Sequence, residues 1–337
     1  VNAGGRETLR LLDLTTRRWT EPAGVPAGSV DAVKWHPTRG LLALQVDSAR
    51  GPGRVHVLDG DGRVAPWTTP EVPPCIDPSR FVQAEPVQWR GHDGLALSGW
   101  LTRPDPVRFP GPRPVLMLVH GGHASHAKDG WKGRYHHLVE RLGIAVLQPN
   151  VRGSSGFGKT FLGLDDGRLR EDAVRDLGTL LDWVAADPAL DAERVVVMGG
   201  SYGGYMALAA SVQLGERIAG AVDVVGISNF VSFLERTESY RRDHRRQEYG
   251  DERDPAMRAF LESISPLNQV DRISKPLLVV HGRNDPRVPW TEAEQSVRRL
   301  QQRGQPVWYL LADNEGHGFA RRENAEAYFA TVVQFLQ

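Results

Sequence analysis

The chain has 337 residues, and its 41 basic and 41 acidic side chains leave a formal charge of zero. A general binder of nucleic acid or of anionic membranes needs a basic surplus, so this balance argues against both functions. No apolar run reaches the ~18 residues of a membrane-spanning helix. The single cysteine, Cys75, excludes an intrachain disulfide and a thiolate metal cluster.

Residues 1–74 predict an all-β segment. Short apolar runs alternate there with turns rich in Gly, Pro and Asp, a pattern typical of short strands. The runs are Thr8–Asp13, Val30–Trp35, Leu41–Val46 and Val55–Leu58. The texture is similar to that of a β-propeller, but one blade needs about 40–50 residues and a propeller has about four or more blades. The segment is therefore either the end of a propeller or a small β appendage on the next domain.

A Pro-rich connector over residues 70–78 marks a domain boundary, and we predict a second domain over residues 75–337. It opens with a hairpin pattern and continues with short apolar runs that alternate with helical stretches. The predicted strands are Glu85–Arg90, Leu95–Thr102, Val115–His120, Ile144–Pro149, Val195–Gly200, Ala219–Val225, Pro276–His281 and Pro306–Leu311. The predicted helices are Arg168–Ala186, Tyr202–Leu214, Thr291–Arg303 and Arg321–Leu336. This alternation predicts an α/β fold with a mostly parallel sheet, helices on both faces and a site at the strand ends.

One strand-to-helix turn carries a candidate nucleophile. Residues 199–203 read GGSYG, which fits the pattern G-x-S-x-G, and they lie between a predicted strand and a predicted helix. That context is typical of a nucleophile elbow, in which glycines make room for a strained turn around the serine. We therefore predict that Ser201 is a catalytic nucleophile.

A serine hydroxyl needs a base, and in this arrangement an acid and then a histidine follow the serine along the chain. Asp285 follows the predicted strand PLLVVHG, and His317 follows the predicted strand PVWYLL. We predict that His317 is the general base and acid and that Asp285 orients it. We assign the oxyanion donors to the backbone N–H groups of Gly122, in the loop HGG, and of Tyr202.

Two further patterns have simpler interpretations. His120, His123 and His126 are spaced three apart on a Gly-rich loop, but no nearby carboxylate or thiolate completes a zinc site. We expect no metal and no organic cofactor. The acidic stretch from Asp165 to Asp172, broken by two arginines, predicts a solvated helix start.

Five motifs together resemble the prolyl oligopeptidase family of serine peptidases, particularly its acylaminoacyl-peptidase and dipeptidyl-peptidase branches. They are LVHGGH (118–123), NVRGSSGFG (150–158), GGSYGGYMA (199–207), HGRNDPRVP (281–289) and DNEGHGF (313–319). The resemblance covers about residues 80–337. It implies an α/β-hydrolase domain after a β-propeller that restricts substrate size, which is consistent with the β-rich start of this chain.

The resemblance also implies substrate-binding residues. The arginine two positions after the acid, here Arg287, holds a main-chain carbonyl of the substrate in this family, and the next residue, Val288, lines the pocket for the residue before the scissile bond. Phe230 and Phe233 are candidates for the apolar wall of that pocket or for ordinary helix core. His120 occupies a position where some branches have an oxyanion-donating tyrosine, so the backbone donor is the better assignment here.

These features predict a serine peptidase that hydrolyses short peptides through an acyl-enzyme. A carboxylesterase with the same machinery is an alternative, because both reactions share a tetrahedral intermediate, and peptides or esters are then the substrates. The other alternative is an inactive fragment that lacks most of its propeller. Such a fragment would expose apolar edges in residues 1–74 and would associate, for example as a homo-oligomer.

The chain begins at Val1 and no export signal follows. We expect a cytoplasmic protein, and the missing initial methionine predicts that the sequence begins inside a longer one.

Overall fold

The computed structural model describes residues 1–49, 51–69, 76–77, 80–122 and 124–337. Small antiparallel sheets occupy the described residues before Trp67, and a large sheet flanked by helices follows from Glu85. Cys75 and His123 lie outside the described residues, so the structure does not address the predictions that concern them.

The first part of the chain forms two ribbons and one four-stranded antiparallel sheet. The ribbons pair β1 (Asn2–Ala3) with β2 (Arg6–Glu7) and β3 (Leu11–Leu12) with β4 (Trp19–Thr20). The sheet has the order β5 (Ser29–Trp35), β6 (Leu42–Ser48), β7 (Gly51–Leu58) and β8 (Val64–Pro66). Alternate residues of β6 are buried, as a strand with one covered face requires, and with Leu58 they form a small core of their own.

Large apolar side chains of this first part are exposed. The exposed fractions are 61% for Trp19, 54% for Val33, 59% for Trp35 and 70% for Trp67. The predicted apolar exposure in this segment is therefore confirmed for these described residues.

Eight strands form the large sheet. In chain order they are β9 (Glu85–Arg90), β10 (Ala96–Thr102), β11 (Arg113–Val119), β12 (Ala145–Asn150), β13 (Leu190–Gly200), β14 (Gly220–Val224), β15 (Leu277–Gly282) and β16 (Val307–Ala312). Their order across the sheet is β16-β15-β14-β13-β11-β12-β10-β9. Strand β10 is antiparallel to both of its neighbours, and all other neighbouring strands are parallel. The six parallel strands therefore end at the same edge.

Helices cover both faces of this sheet. They are α1 (Tyr135–Leu142), α2 (Lys159–Leu162), α3 (Arg170–Ala186), α4 (Tyr202–Gln213), α5 (Phe230–Arg236), α6 (Ser239–Tyr249), α7 (Pro255–Ile264), α8 (Thr291–Gln302) and α9 (Arg322–Leu336). Among the residues that the structure describes, short 3-10 helices span Gly167–Leu169, Gly215–Arg217 and Pro266–Arg272. No helix among the described residues is both long and apolar enough to cross a bilayer.

Two apolar cores lie on the two faces of the large sheet. One contains Leu277 and Val279 of β15 with side chains of α3, α4 and α8, and the other contains Leu278 and Val280 with side chains of α1 and α9. Successive side chains of a strand point to opposite faces, so a strand covered on both sides becomes a continuous apolar run. That is why PLLVVH could be interpreted as a central strand.

Ion pairs join the first part of the chain to the loop before α1. Arg6 lies 2.5 Å from Asp129, and Lys128 lies 2.9 Å from Glu7 and 3.2 Å from Asp31. The small β segment is thereby joined to the loop that follows β11.

Candidate active site

Ser201 lies on a strained turn between β13 and α4. Its φ of 58° and ψ of −116° place it in a region that residues with a Cβ rarely adopt. Such a conformation costs on the order of 1–3 kcal/mol and is found where a fold imposes it. The Ser201 N–H donates to the carbonyl of Val224 at 2.8 Å, and the Ser201 carbonyl accepts the N–H of Tyr205 at 3.1 Å. The predicted elbow geometry is therefore present.

The glycines around Ser201 are required by close backbone contacts. A Cβ on Gly199 would lie 2.4 Å from the backbone of Gly203, and a Cβ on Gly203 would lie 2.3 Å from the carbonyl oxygen of Val119. Both distances are far below van der Waals contact. The end of β11 therefore packs directly on the first turn of α4.

Gly203→Ala tests this contact. We expect it to lower stability by about 1–3 kcal/mol, because the added methyl must push the end of β11 away. We also expect activity to fall about 100-fold, since a shift of roughly 1 Å near the nucleophile is enough for that loss. Thermal melting and peptidyl-anilide turnover measure the two effects.

Gly178→Ala in α3 is the matched control. A Cβ on Gly178 would meet its nearest atom, on Leu214, at an ordinary 3.5 Å. Because alanine favours a helix over glycine by about 0.5–1 kcal/mol, this variant should melt at the same or a higher temperature. A Gly203→Ala protein that behaves like the control would contradict the proposed packing.

The predicted acid and base meet in the structure. Asp285 follows β15 and His317 follows β16, and the Nδ1–H of His317 donates to Asp285 Oδ2 at 2.6 Å. The other carboxylate oxygen accepts the backbone N–H groups of Arg287 at 2.8 Å and of Val288 at 3.0 Å. Because Nδ1 carries the proton in this hydrogen bond, Nε2 of a neutral His317 has the lone pair that a general base needs.

The Asp285 side chain is fully buried. Burial alone would raise the pKa of Asp285, but hydrogen bonds from His281, His317 and the backbone outweigh it, and the pKa lies far below its ordinary value. The carboxylate is therefore ionised throughout the neutral range and can stabilise a protonated His317.

The loop that carries His317 is fixed by Glu315. Its carboxylate accepts the backbone N–H groups of Ala320 and Arg321 and the side-chain amide of Asn324. The loop that carries Asp285 is joined to the same segment, since the N–H of Asn284 donates to the Glu315 carbonyl at 2.9 Å. One hydrogen-bonded unit thus holds both residues of the acid–base pair.

The loop after β11 lies beside the nucleophile. A Cβ on Gly121 would lie 3.6 Å from the Cβ of Ser201 and 2.7 Å from the carbonyl oxygen of Gly200. Gly122 is the next residue of this loop, and Tyr202 is the first residue of α4, whose N–H has no intrahelical acceptor. The assignment of Gly122 and Tyr202 as oxyanion donors stays a prediction.

Among the described residues, the Ser201 hydroxyl makes no hydrogen bond. Ser201 and the Asp285–His317 pair leave the same sheet edge on loops after β13, β15 and β16. The hydrogen bond between a catalytic serine and its base is commonly long until substrate binds. The triad as a working unit therefore stays a prediction.

The interpretation of residues 165–172 as a solvated helix start is wrong for two of them. Asp165 and Arg170 are buried, and they form an ion pair beneath the nucleophile turn. The Tyr202 hydroxyl donates to Asp165 at 2.9 Å, and the Arg170 guanidinium lies 5.2 Å from the centre of the Tyr202 ring and 4.7 Å from that of Tyr249. Tyr202 is thus held by its side chain as well as by its helix.

The predicted substrate-binding residues fall into two groups. Arg287 is exposed, and within the described residues no carboxylate pairs with its guanidinium. Val288, Phe230 and Phe233 are at most 2% exposed. Phe230 packs in the core, with its ring centre 5.1 Å from that of Tyr249. A role for these four residues in substrate binding stays a prediction.

The histidines of the Gly-rich loop have other partners. His120 Nε2 lies 2.8 Å from the Ser154 hydroxyl, and His126 lies 3.3 Å from both the Ser155 hydroxyl and Glu7. These contacts join the loop to neighbouring segments.

Within the described part of the chain, one cluster has the residue types of a metal site: His92, Asp93 and Asp176. The guanidinium of Arg152 donates to Asp176 at 2.6 Å and to Asp93 at 3.0 Å. Because the Arg152 guanidinium already binds both carboxylates, the cluster is best described as an ion-pair network, in which Arg152 and Asp176 are buried while His92 and Asp93 are exposed.

The sheet order and the strand–serine–helix turn define an α/β-hydrolase fold, as the sequence predicted. A family model described as the prolyl oligopeptidase family matches residues 134–337. The chain belongs to this family, which confirms the resemblance drawn from the five motifs.

Individual relatives agree with this membership. The chain is 32% identical over 376 aligned residues to dipeptidyl aminopeptidase BIII of Pseudoxanthomonas mexicana. The alignment covers 99% of this chain and 54% of that protein. A puromycin hydrolase structure superimposes with a TM-score of 0.91 at 22% identity, over 99% of this chain and 50% of that one. The Pyrococcus horikoshii acylaminoacyl peptidase gives a TM-score of 0.85 at 20% identity, over 98% and 52%. The chain thus spans about half the length of these relatives.

Proposed function

We propose that this chain carries the catalytic machinery of a serine peptidase of the acylaminoacyl- or dipeptidyl-peptidase type, which hydrolyses short peptides. The observation that carries the proposal is the hydrogen bond from His317 to a buried, ionised Asp285 at the sheet edge where the strained Ser201 turn lies. Membership in the family supports the same reaction. Residues 1–74 are proposed as part of a β-propeller and residues 75–337 as the catalytic domain.

The first step is acylation. Nε2 of His317 takes the proton of the Ser201 hydroxyl as its oxygen attacks the scissile carbonyl, and Asp285 stabilises the imidazolium that forms. The N–H groups of Gly122 and Tyr202 donate to the oxyanion of the tetrahedral intermediate. His317 then gives its proton to the leaving amine, and the acyl group stays on Ser201.

The second step releases the acyl group. A water molecule loses a proton to His317 and attacks the ester carbonyl, and the same two N–H groups stabilise the second oxyanion. Collapse returns the proton to Ser201. An ester substrate would follow the same route, which is why a carboxylesterase remains the competing proposal.

Turnover of three substrates tests the proposal: an acetyl-alanyl anilide, a free alanyl-alanyl anilide and a p-nitrophenyl ester. We expect kcat on at least one anilide to exceed the first-order rate constant of the reaction without enzyme by many orders of magnitude. The preferred anilide identifies the peptidase type. Hydrolysis of the ester alone would favour the carboxylesterase.

Arg287 offers a second test, because an exposed guanidinium without a carboxylate partner can hold a substrate carbonyl. A hydrogen bond to a charged group contributes about 1.5–3 kcal/mol, so Arg287→Ala should lower kcat/KM on the anilide about 10- to 100-fold. The ester, which has no such main-chain carbonyl, should change less than about threefold.

Arg283→Ala is the matched control for this test. Arg283 lies on the same loop and is also exposed, but it pairs with Asp313 at 2.5 Å. Its removal should leave both substrates unaffected. Equal losses on anilide and ester in Arg287→Ala would instead show that this arginine supports the loop and does not recognise peptides.

A further inference from the structure

One buried histidine contacts the acid of the proposed triad but has no part in the mechanism above. His281 lies in β15 and is fully buried. Its Nε2 lies 2.9 Å from the carbonyl oxygen of Val288 and 3.5 Å from Asp285 Oδ2. Both neighbours are acceptors, so Nε2 carries the proton and donates toward them.

This donor joins β15 to the loop that carries Asp285, through a hydrogen bond to Val288 and a longer contact with the carboxylate. Val288 donates its N–H to Asp285 Oδ1 and accepts from His281 at its carbonyl. Oδ2 of Asp285 faces two imidazoles, since it accepts from His317 at 2.6 Å and lies next to His281. His281 and His317 therefore both lie against Oδ2.

The other ring nitrogen of His281, Nδ1, makes no comparable hydrogen bond among the described residues. Among the described residues, Nδ1 of His281 is buried without a hydrogen-bond partner, and so is Oδ1 of Asp223 on the neighbouring strand β14. A buried polar atom without a partner costs about 1–3 kcal/mol. An apolar side chain of similar size would avoid that cost. If His281 has a function, its useful hydrogen bond is therefore the one that Nε2 donates.

We propose that His281 is a positioning residue of the triad, whose Nε2–H fixes the Asp285 carboxylate at the angle from which it accepts the Nδ1–H of His317. The inference rests on the proposed roles of Ser201, His317 and Asp285. His281 touches neither substrate nor the reacting atoms, and it acts through Asp285.

Two variants of nearly equal size test the proposal. His281→Gln keeps an amide N–H near the position of Nε2, whereas His281→Met fills the same space without a donor. We expect kcat in His281→Met to fall about 10- to 100-fold with KM within threefold, because the acid is present but poorly oriented. We expect His281→Gln to stay within about fivefold of the wild type.

His136→Met is the matched control. His136 is also a buried imidazole, but it stacks on Phe81 with ring centres 4.3 Å apart. Its replacement should leave kcat within about twofold. If His281→Met does not fold, His281→Asn tests the same point, because its shorter amide lies near Nδ1 and also leaves Asp285 without the donor.

A second readout does not depend on turnover. The Nδ1–H proton of His317, held in a short hydrogen bond to Asp285, gives a far-downfield proton resonance that His317→Gln removes. We expect that resonance in the wild type and in His281→Gln, and its loss or a clear upfield shift in His281→Met.

The proposal is overturned if His281→Met keeps the wild-type kcat and resonance, or if the Gln and Met variants are affected equally. A wild type that hydrolyses no substrate would contradict the proposed function. The resonance in the Gln and Met variants would still decide the role of His281.

Discussion

Ser201→Ala is expected to lower kcat on a peptidyl anilide by about 10⁴- to 10⁶-fold. Removal of the nucleophile of a serine peptidase has an effect of this size, and a residual acceleration over water remains from the oxyanion donors and substrate binding. The KM of the residual activity should change little, because the Ser201 hydroxyl contributes little to substrate binding. The variant should melt at nearly the wild-type temperature, since the turn is held by backbone hydrogen bonds to Val224 and Tyr205.

Ser211→Ala is the control for this prediction. Ser211 is buried in the same helix, α4, and its hydroxyl donates to the carbonyl of Ala207. Its loss should leave kcat within about twofold. If Ser201→Ala retained more than about a hundredth of the wild-type kcat, another residue would be the nucleophile and the elbow would have only a structural role.

Asp285→Asn is expected to lower kcat by about 10⁴-fold, the effect known for this change in a serine triad. The two backbone N–H groups at Oδ1 keep the amide oxygen on their side, so the NH₂ group faces His317. Nδ1 must then accept a hydrogen bond, and the proton moves to Nε2. In that tautomer His317 cannot take a proton from Ser201.

The pH dependence gives the same prediction a second measurement. Because the pKa of Asp285 lies far below its ordinary value, the carboxylate remains charged above about pH 4. The acidic limb of the wild-type kcat/KM profile should therefore contain no ionisation of Asp285. Asp313→Asn, on the neighbouring loop, should leave the rate and this limb unchanged. A wild-type profile with two ionisations, one lost in Asp285→Asn, would contradict the ionised acid.

Much of the fold was predictable because its strands are covered on both faces. A strand such as β15 becomes a continuous apolar run, and helices with one buried face, such as α3 and α8, show a clear period. Helix α6 was not predicted, because most of its residues are charged. It is stabilised partly by ion pairs such as Arg246 with Glu252, which leave no apolar stripe in the sequence.

The candidate site was predictable where one short sequence motif determines the local backbone conformation. The G-x-S-x-G turn requires its glycines, and the acid and histidine each follow a predicted strand. The supporting contacts were not predictable in this way, since Asp165 and Tyr202 lie 37 positions apart and meet only in the fold. The same charged residues occur in exposed helix starts, so nothing local distinguished the buried pair from a solvated one.

The most direct test of the central claim is covalent labelling of the 337-residue chain with a fluorophosphonate, followed by peptide mapping. The proposed triad predicts one adduct, on Ser201, at a rate that falls strongly in Asp285→Asn and in heat-denatured protein. No adduct in a chain that still melts cooperatively, or an adduct on a different residue, would contradict the claim that Ser201, Asp285 and His317 form a working triad.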